Sequence, residues 1–214
     1  MVGETVSSRP VRIAILTFDG FNEIDSLVAY HILKRVRRAG WEVQIAAPTP
    51  RVKSMNGLVI STQVSLQYAR TADAVIVGSG VATRELADDP ELLARLGLRP
   101  SHQLIASQCS GTLLLAMLGL LKGVPACTDL KTRPWLEELG VEVLDRSFHA
   151  AGNVATAGGC LASQYLAAWL LIRLAGVDVA ADALRYVAPV GEKEDYISRV
   201  LENVLPYLPE SAAA

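Results

Sequence analysis

A cysteine set between a buried strand and an apolar helix is the residue of this chain best placed to do chemistry. Residues 104–107 (LIAS) run into Gln108-Cys109-Ser110-Gly111 and then into the apolar stretch 112–121. A sharp strand-to-helix turn exposes such a side chain at the edge of a sheet, as in a nucleophile elbow, and Gly111 supplies the small neighbour that the turn needs. Unpaired N–H groups at the helix start carry partial positive charge. They favour thiolate over thiol, and they can also stabilise a developing oxyanion. The plain alternative for Cys109 is a small buried hydrophobe; its place at the strand–helix junction favours the chemical reading.

A thiol needs a proton acceptor. The usual partner is histidine, but the three histidines are poorly placed. His31 falls mid-helix, His102 precedes its strand and so lies at the opposite edge, and His149 falls in a loop where exposure is expected. Asp25, near the start of the first helix, is the other choice. A carboxyl group beside the sulfur can hold and pass a proton. On pattern alone the N-cap is the favoured reading of Asp25, and Glu23 reads as a solvated loop acid. Cys127 reads as buried and structural. Cys160, after Gly158-Gly159, can approach the same site, although packing under the next helix is the simpler expectation.

The elements that must position these residues alternate between strand and helix. Apolar runs at 11–18, 41–47, 74–77, 104–107 and 154–157 read as strands, with a short one at 141–144 and a hairpin over 51–62. Helical patterns cover 25–39 (apolar at Leu27, Tyr30, Leu33 and Val36, closed by Gly40), 90–97, 112–121, 132–139, 161–174 and 192–205. Such alternation predicts an α/β three-layer sandwich, its mostly parallel sheet covered by helices on both faces. Ligands then bind along the edge formed by the C-terminal ends of the strands. That rule selects residues 18–26, 78–81, 107–112 and 156–160.

The chain has 214 residues, enough for one domain over 11–208 with a loose tail at 1–10 and another at 209–214. Twenty basic against 22 acidic side chains give no broad footprint for nucleic acid or an anionic membrane. The polar N-terminus and the lack of a long apolar run predict a cytoplasmic protein with no membrane partner. Three widely spaced cysteines form no CxxC pair, so neither a metal nor a disulfide is expected. The glycine turns lack the GxGxxG order and the Walker lysine, so no nucleotide or other cofactor is expected. The run Lys34, Arg35, Arg37, Arg38 reads as a solvated helix face.

The run 11–27 (VRIAILTFDGFNEIDSL), the Gly78-Ser79-Gly80 turn, the block 106–128 (ASQCSGTLLLAMLGLLKGVPACT) and the run 153–168 (NVATAGGCLASQYLAA) together resemble the ThiJ/PfpI superfamily, in particular its isonitrile hydratase branch. The resemblance implies a flavodoxin-like fold and a homodimer. It makes Cys109 the nucleophile and Asp25 the acid facing the sulfur, with Ser110 at the position of a hydroxyl residue. Gly78 and Gly80 fall in a turn that carries a backbone donor to the pocket. The implied reaction is cofactor-free conversion of a small isonitrile to an N-formamide, a lyase activity. The alternatives are a glyoxalase- or deglycase-like enzyme acting on small aldehydes, and a cysteine-based sensor of oxidative stress. The chain departs from the hydratases at Gly78-Ser79-Gly80-Val81 and at Thr128-Asp129-Leu130, where Asp129 is expected to add charge to the pocket wall.

Overall fold

The computed structural model describes residues 10–209, so the expected tails fall outside the described residues except for Pro10 and Pro209. Among these residues a seven-stranded sheet runs in the order β5-β2-β1-β6-β7-β9-β8, with β1 Val11–Leu16, β2 Trp41–Ala47, β5 Val64–Ser65, β6 Ala74–Val77, β7 Leu104–Gln108, β8 Phe148–Ala151 and β9 Val154–Ala157. All neighbouring pairs are parallel except β8 with β9. The strands β3 (Arg51–Lys53) and β4 (Val59–Ser61) form the expected hairpin as a separate antiparallel pair.

Side chains alternate across β1 with period two, which divides the core into two layers. Ile13 and Ile15 face α1 (Glu23–Leu33), α6 (Ser163–Ala175), α7 (Val177–Val187) and α8 (Lys193–Val204). Ala14 and Leu16 face α2 (Thr83–Ala87), α3 (Pro90–Leu96), α4 (Gly111–Met117) and α5 (Arg133–Glu138). This is the expected flavodoxin-like α/β sandwich. The strand order reverses between β1 and β6, and the crevice at that switch point is where ligands bind in this topology.

Several elements differ from expectation. Helix α1 stops at Leu33 rather than continuing to residue 39. The Trp41 indole N–H donates to the Leu33 carbonyl at 3.0 Å, taking the acceptor that the next helical turn would use. The buried stripe of α1 is Asp25, Ser26, Ala29, Ile32 and Leu33, not the apolar series through Leu27 and Tyr30. Residues 141–144 make only an isolated bridge, Ala126 with Val143. The antiparallel edge strand β8 and the helix α7 were not expected. No helix of the described residues is long and apolar enough to cross a membrane.

Candidate active site

Cys109 sits at φ 47°, the only non-glycine residue with positive φ among the described residues. Such a conformation is costly for a residue with a Cβ and persists only where the surroundings enforce it. Here the Cys109 N–H donates to the Ala157 carbonyl of β9 (2.8 Å), and the Thr128 hydroxyl donates to the Cys109 carbonyl (2.8 Å). Gly111 must be glycine, because a Cβ there would lie 2.5 Å from the Val77 carbonyl oxygen. The strand-to-helix elbow is therefore built as the sequence predicts.

Asp25 lies on the first turn of α1 but does not cap it. Asn22 does, its side-chain oxygen accepting from the Ile24 N–H at 3.1 Å. That leaves the Asp25 carboxylate free to turn inward, where it is 0% exposed. Its Oδ2 accepts from the Ser79 hydroxyl, while Oδ1 is buried without a hydrogen-bond partner. A carboxylate oxygen of Asp25 and the sulfurs of Cys109 and Cys160 all lie within 4.8 Å of one another. The simpler expectation for Cys160, packing under the helix, is thus corrected. The 3-10 turn Cys160–Ala162 carries its half-buried thiol into the site, where Asn22 Nδ2 donates to the sulfur at 3.3 Å. This trio could also ligate a metal ion by its donor set.

The electrostatics correct a second expectation. Burial pushes the Cys109 thiol well above its ordinary pKa, the negative charge of Asp25 adds to the rise, and donation from Gln108 Nε2 to the sulfur (3.2 Å) only partly opposes it. Burial and the neighbouring carboxylate thus both favour the protonated thiol, so a base must take the proton before sulfur can react. Cys160 is raised for the same two reasons, burial first and Asp25 second. Cys127, fully buried away from the site, is pushed up to about 11 by burial.

Cys109 and Ser110 open onto a cavity of about 970 Å³ that also reaches Asp25, Gly80 and Cys160. Ser110 Oγ lies 2.8 Å from the Thr83 hydroxyl and accepts from the Gly80 N–H at 3.2 Å. The Gly80 amide is thus already engaged by hydroxyls and orients Ser110 rather than offering a free donor. Gly78 lies apart from the cavity lining; its N–H donates to the Leu16 carbonyl at 2.9 Å, and its missing Cβ makes room for Leu16 and Ser26. The amides of Ser110 and Gly111, at the start of α4, donate to no carbonyl or side chain of the described residues.

The walls combine the Trp135 ring, under the Arg84 guanidinium at 4.7 Å, with Leu130 and Val81, which are 85% and 70% exposed. Asp129 lines the wall, but its Oδ1 accepts from the Lys131 and Thr132 amides and its Oδ2 from the Thr132 hydroxyl. These three bonds fold the turn that leads into α5. Glu23 remains partly exposed but lies in a helix and not a loop; it opens α1 and accepts from the Ser54 hydroxyl and Asn56 Nδ2. The histidines stay away from the cavity lining, with His31 beside Tyr186 and His149 on β8 edge-on to Tyr207. The sequence pattern does not single out Ser79 or Gln108. The signal for Gln108 is a polar residue that ends an apolar strand, and for Ser79 a polar residue in the glycine turn just beyond one.

Comparison with known proteins agrees with this architecture. The sequence profile of the DJ-1/PfpI family matches residues 11–171. A protein of Pseudomonas putida named isonitrile hydratase is 27% identical over 172 residues, covering 79% of this chain and 75% of that protein. Among solved structures, DJ-1 of Schizosaccharomyces pombe superposes with a TM-score of 0.73 at 20% identity, over 84% of this chain and all of that one. A ThiJ/PfpI family protein from Pseudomonas syringae gives a TM-score of 0.73 at 23% identity, over all of this chain and 96% of that one. At such identities the structural likenesses establish the fold.

Proposed function

The chain belongs to the DJ-1/PfpI family, and from that premise we propose that it is a cofactor-free lyase that hydrates small isonitriles to N-formamides. The observation that carries this reading is the buried, half-partnered Asp25 carboxylate against the Cys109 thiol at the mouth of a cavity. The isonitrile hydratase of Pseudomonas putida supports the substrate class.

An isonitrile carbon carries a lone pair and is attacked only as it becomes protonated. Asp25 takes the Cys109 proton and delivers it to that carbon while sulfur bonds to it, giving a thioimidate and restoring the carboxylate. Water next adds to the same carbon as Asp25 takes one of its protons and passes it to nitrogen. Collapse to the carbonyl breaks the carbon–sulfur bond, the hydroxyl proton moves through Asp25 to sulfur, and R–NH–CHO leaves. Covalent catalysis divides one hard addition into two easier ones. A protonated thiol suits this sequence, since the sulfur proton is the one the carbon requires. Ser110, held by Thr83 and Gly80, orients the water. The apolar surface of Trp135, Leu130 and Val81 suits an organic substituent.

The test is isonitrile loss and formamide appearance, with methylglyoxal as a parallel substrate. Wild type should consume the isonitrile, and Cys109→Ala should be slower by roughly 1,000-fold or more. Turnover of methylglyoxal alone, or isonitrile turnover that survives Cys109→Ala, would refute the reading. We also propose a single domain over residues 11–208 and a homodimer, for which exposed Met55, Leu58 and Val59 offer an apolar surface; light scattering checks the assembly.

A further inference from the structure

Cys160 has no part in the hydration chemistry, yet its sulfur lies within 4.8 Å of both the Cys109 sulfur and an Asp25 oxygen. Gln108 ties the two cysteine segments together, its Nε2 donating to Cys109 Sγ at 3.2 Å and to the Gly159 carbonyl at 2.8 Å. Both sulfurs face one cavity large enough to admit a small oxidant. The residue before Cys160 is Gly159, at φ 89°, and no atom lies within 4 Å of where its Cβ would be. A disulfide bond is about 2.05 Å long, so the sulfurs must close by less than about 3 Å.

We propose that Cys109 and Cys160 form a reversible redox pair that closes to a disulfide when a hydroperoxide enters the cavity. The inference goes beyond the hydratase reading and does not depend on it. One sulfur, its proton taken by Asp25, attacks the distal peroxide oxygen. The O–O bond breaks, the alcohol leaves with that proton, and the sulfur becomes a sulfenic acid. The second sulfur passes its proton to the same carboxylate and attacks the first. The S–S bond forms, the S–O bond breaks, and hydroxide leaves as water with that proton. The two sulfurs together lose two electrons and the peroxide gains two. A dithiol reductant reverses the bond by exchange. Closure ties up the nucleophile and shields Cys109 from irreversible over-oxidation.

The experiment treats the full chain with hydrogen peroxide and reads intact mass, peptide maps and alkylation, with no isonitrile present. Failure of the hydratase reading therefore leaves it untouched. Wild type and Cys127→Ser should lose about 2 Da and yield a peptide joining Cys109 to Cys160, and dithiothreitol should release it. Cys160→Ser, checked for its fold by circular dichroism, should instead gain about 32 Da at Cys109 as the sulfinic acid. The proposal is overturned if wild type gains that mass at Cys109 while Cys160 remains alkylatable. It is equally overturned if the cross-link involves Cys127, or if Cys109 and Cys160 react no faster than Cys127.

Discussion

Helix α6 and the elbow around Cys109 are both buried, and they are built on opposite terms. In α6 the buried residues are almost all apolar, from Tyr165 through Leu171 and Ile172, and Trp169 fills the centre with no exposed surface. Its unpartnered polar atoms are Ser163 Oγ and Trp169 Nε1. At the elbow, the buried residues Asp25, Ser26, Ser79 and Gln108 crowd a backbone held at positive φ, and Asp25 Oδ1, Ser26 Oγ and Gln108 Oε1 lack partners. Apolar burial stabilises a fold in proportion to area, whereas unpartnered buried polar atoms and strained dihedrals destabilise it. The molecule therefore gains stability at α6 and sacrifices some at the strand ends, where one of the groups short of a partner, the Asp25 carboxylate, lines the cavity.

Substitutions can break this division. The largest effect on stability is expected for Trp169→Ala, about 3–5 kcal/mol by chemical denaturation, with activity per folded molecule little changed. Asp25→Asn should do the reverse: turnover falls roughly 100-fold, while the melting temperature holds or rises because a buried carboxylate with an idle oxygen is gone. A large loss of stability in Asp25→Asn would blur the division. Ser79→Ala removes the hydroxyl that donates to Asp25 Oδ2 and should cost about tenfold in turnover, seen in steady-state kinetics. The smallest effect lies on β8. Burial, and then Arg146, hold the His149 pKa below its ordinary value. The unfolded chain thus binds that proton more readily than the folded one. The contribution of neutral His149 is full above about pH 6.5 and is lost as pH falls below it. Melting between pH 7.5 and 5.5 should drop less in His149→Gln than in wild type.

Much of the architecture was readable because central parallel strands are apolar on both faces. The runs that became β1, β6, β7 and β9 stand out for that reason, and with them the strand–helix junction that holds Cys109. Asp25 was visible as an acid near a helix start, but only the structure decides between cap and partner, since the cap is taken by Asn22. The remaining parts depend on tertiary contacts. Cys160 joins the site because the turn after β9 comes back over the elbow, a closeness between distant positions that periodicity does not encode. Helix α1 ends early through the Trp41 indole, again a contact rather than a local signal. The buried stripe of α1 begins with Asp25 and Ser26, so an apolar-spacing rule picks the wrong face. The same two residues mark where the helix meets the reacting centre.

The central claim is that the Cys109 sulfur becomes bonded to substrate carbon with Asp25 moving the proton. Rapid acid quench of enzyme with excess isonitrile, followed by intact mass and peptide mapping, tests it most directly. The account predicts a wild-type adduct equal in mass to one isonitrile, located on Cys109, and far slower adduct formation in Asp25→Asn. An adduct on another residue, or turnover with no covalent species on Cys109 at any quench time, would contradict it.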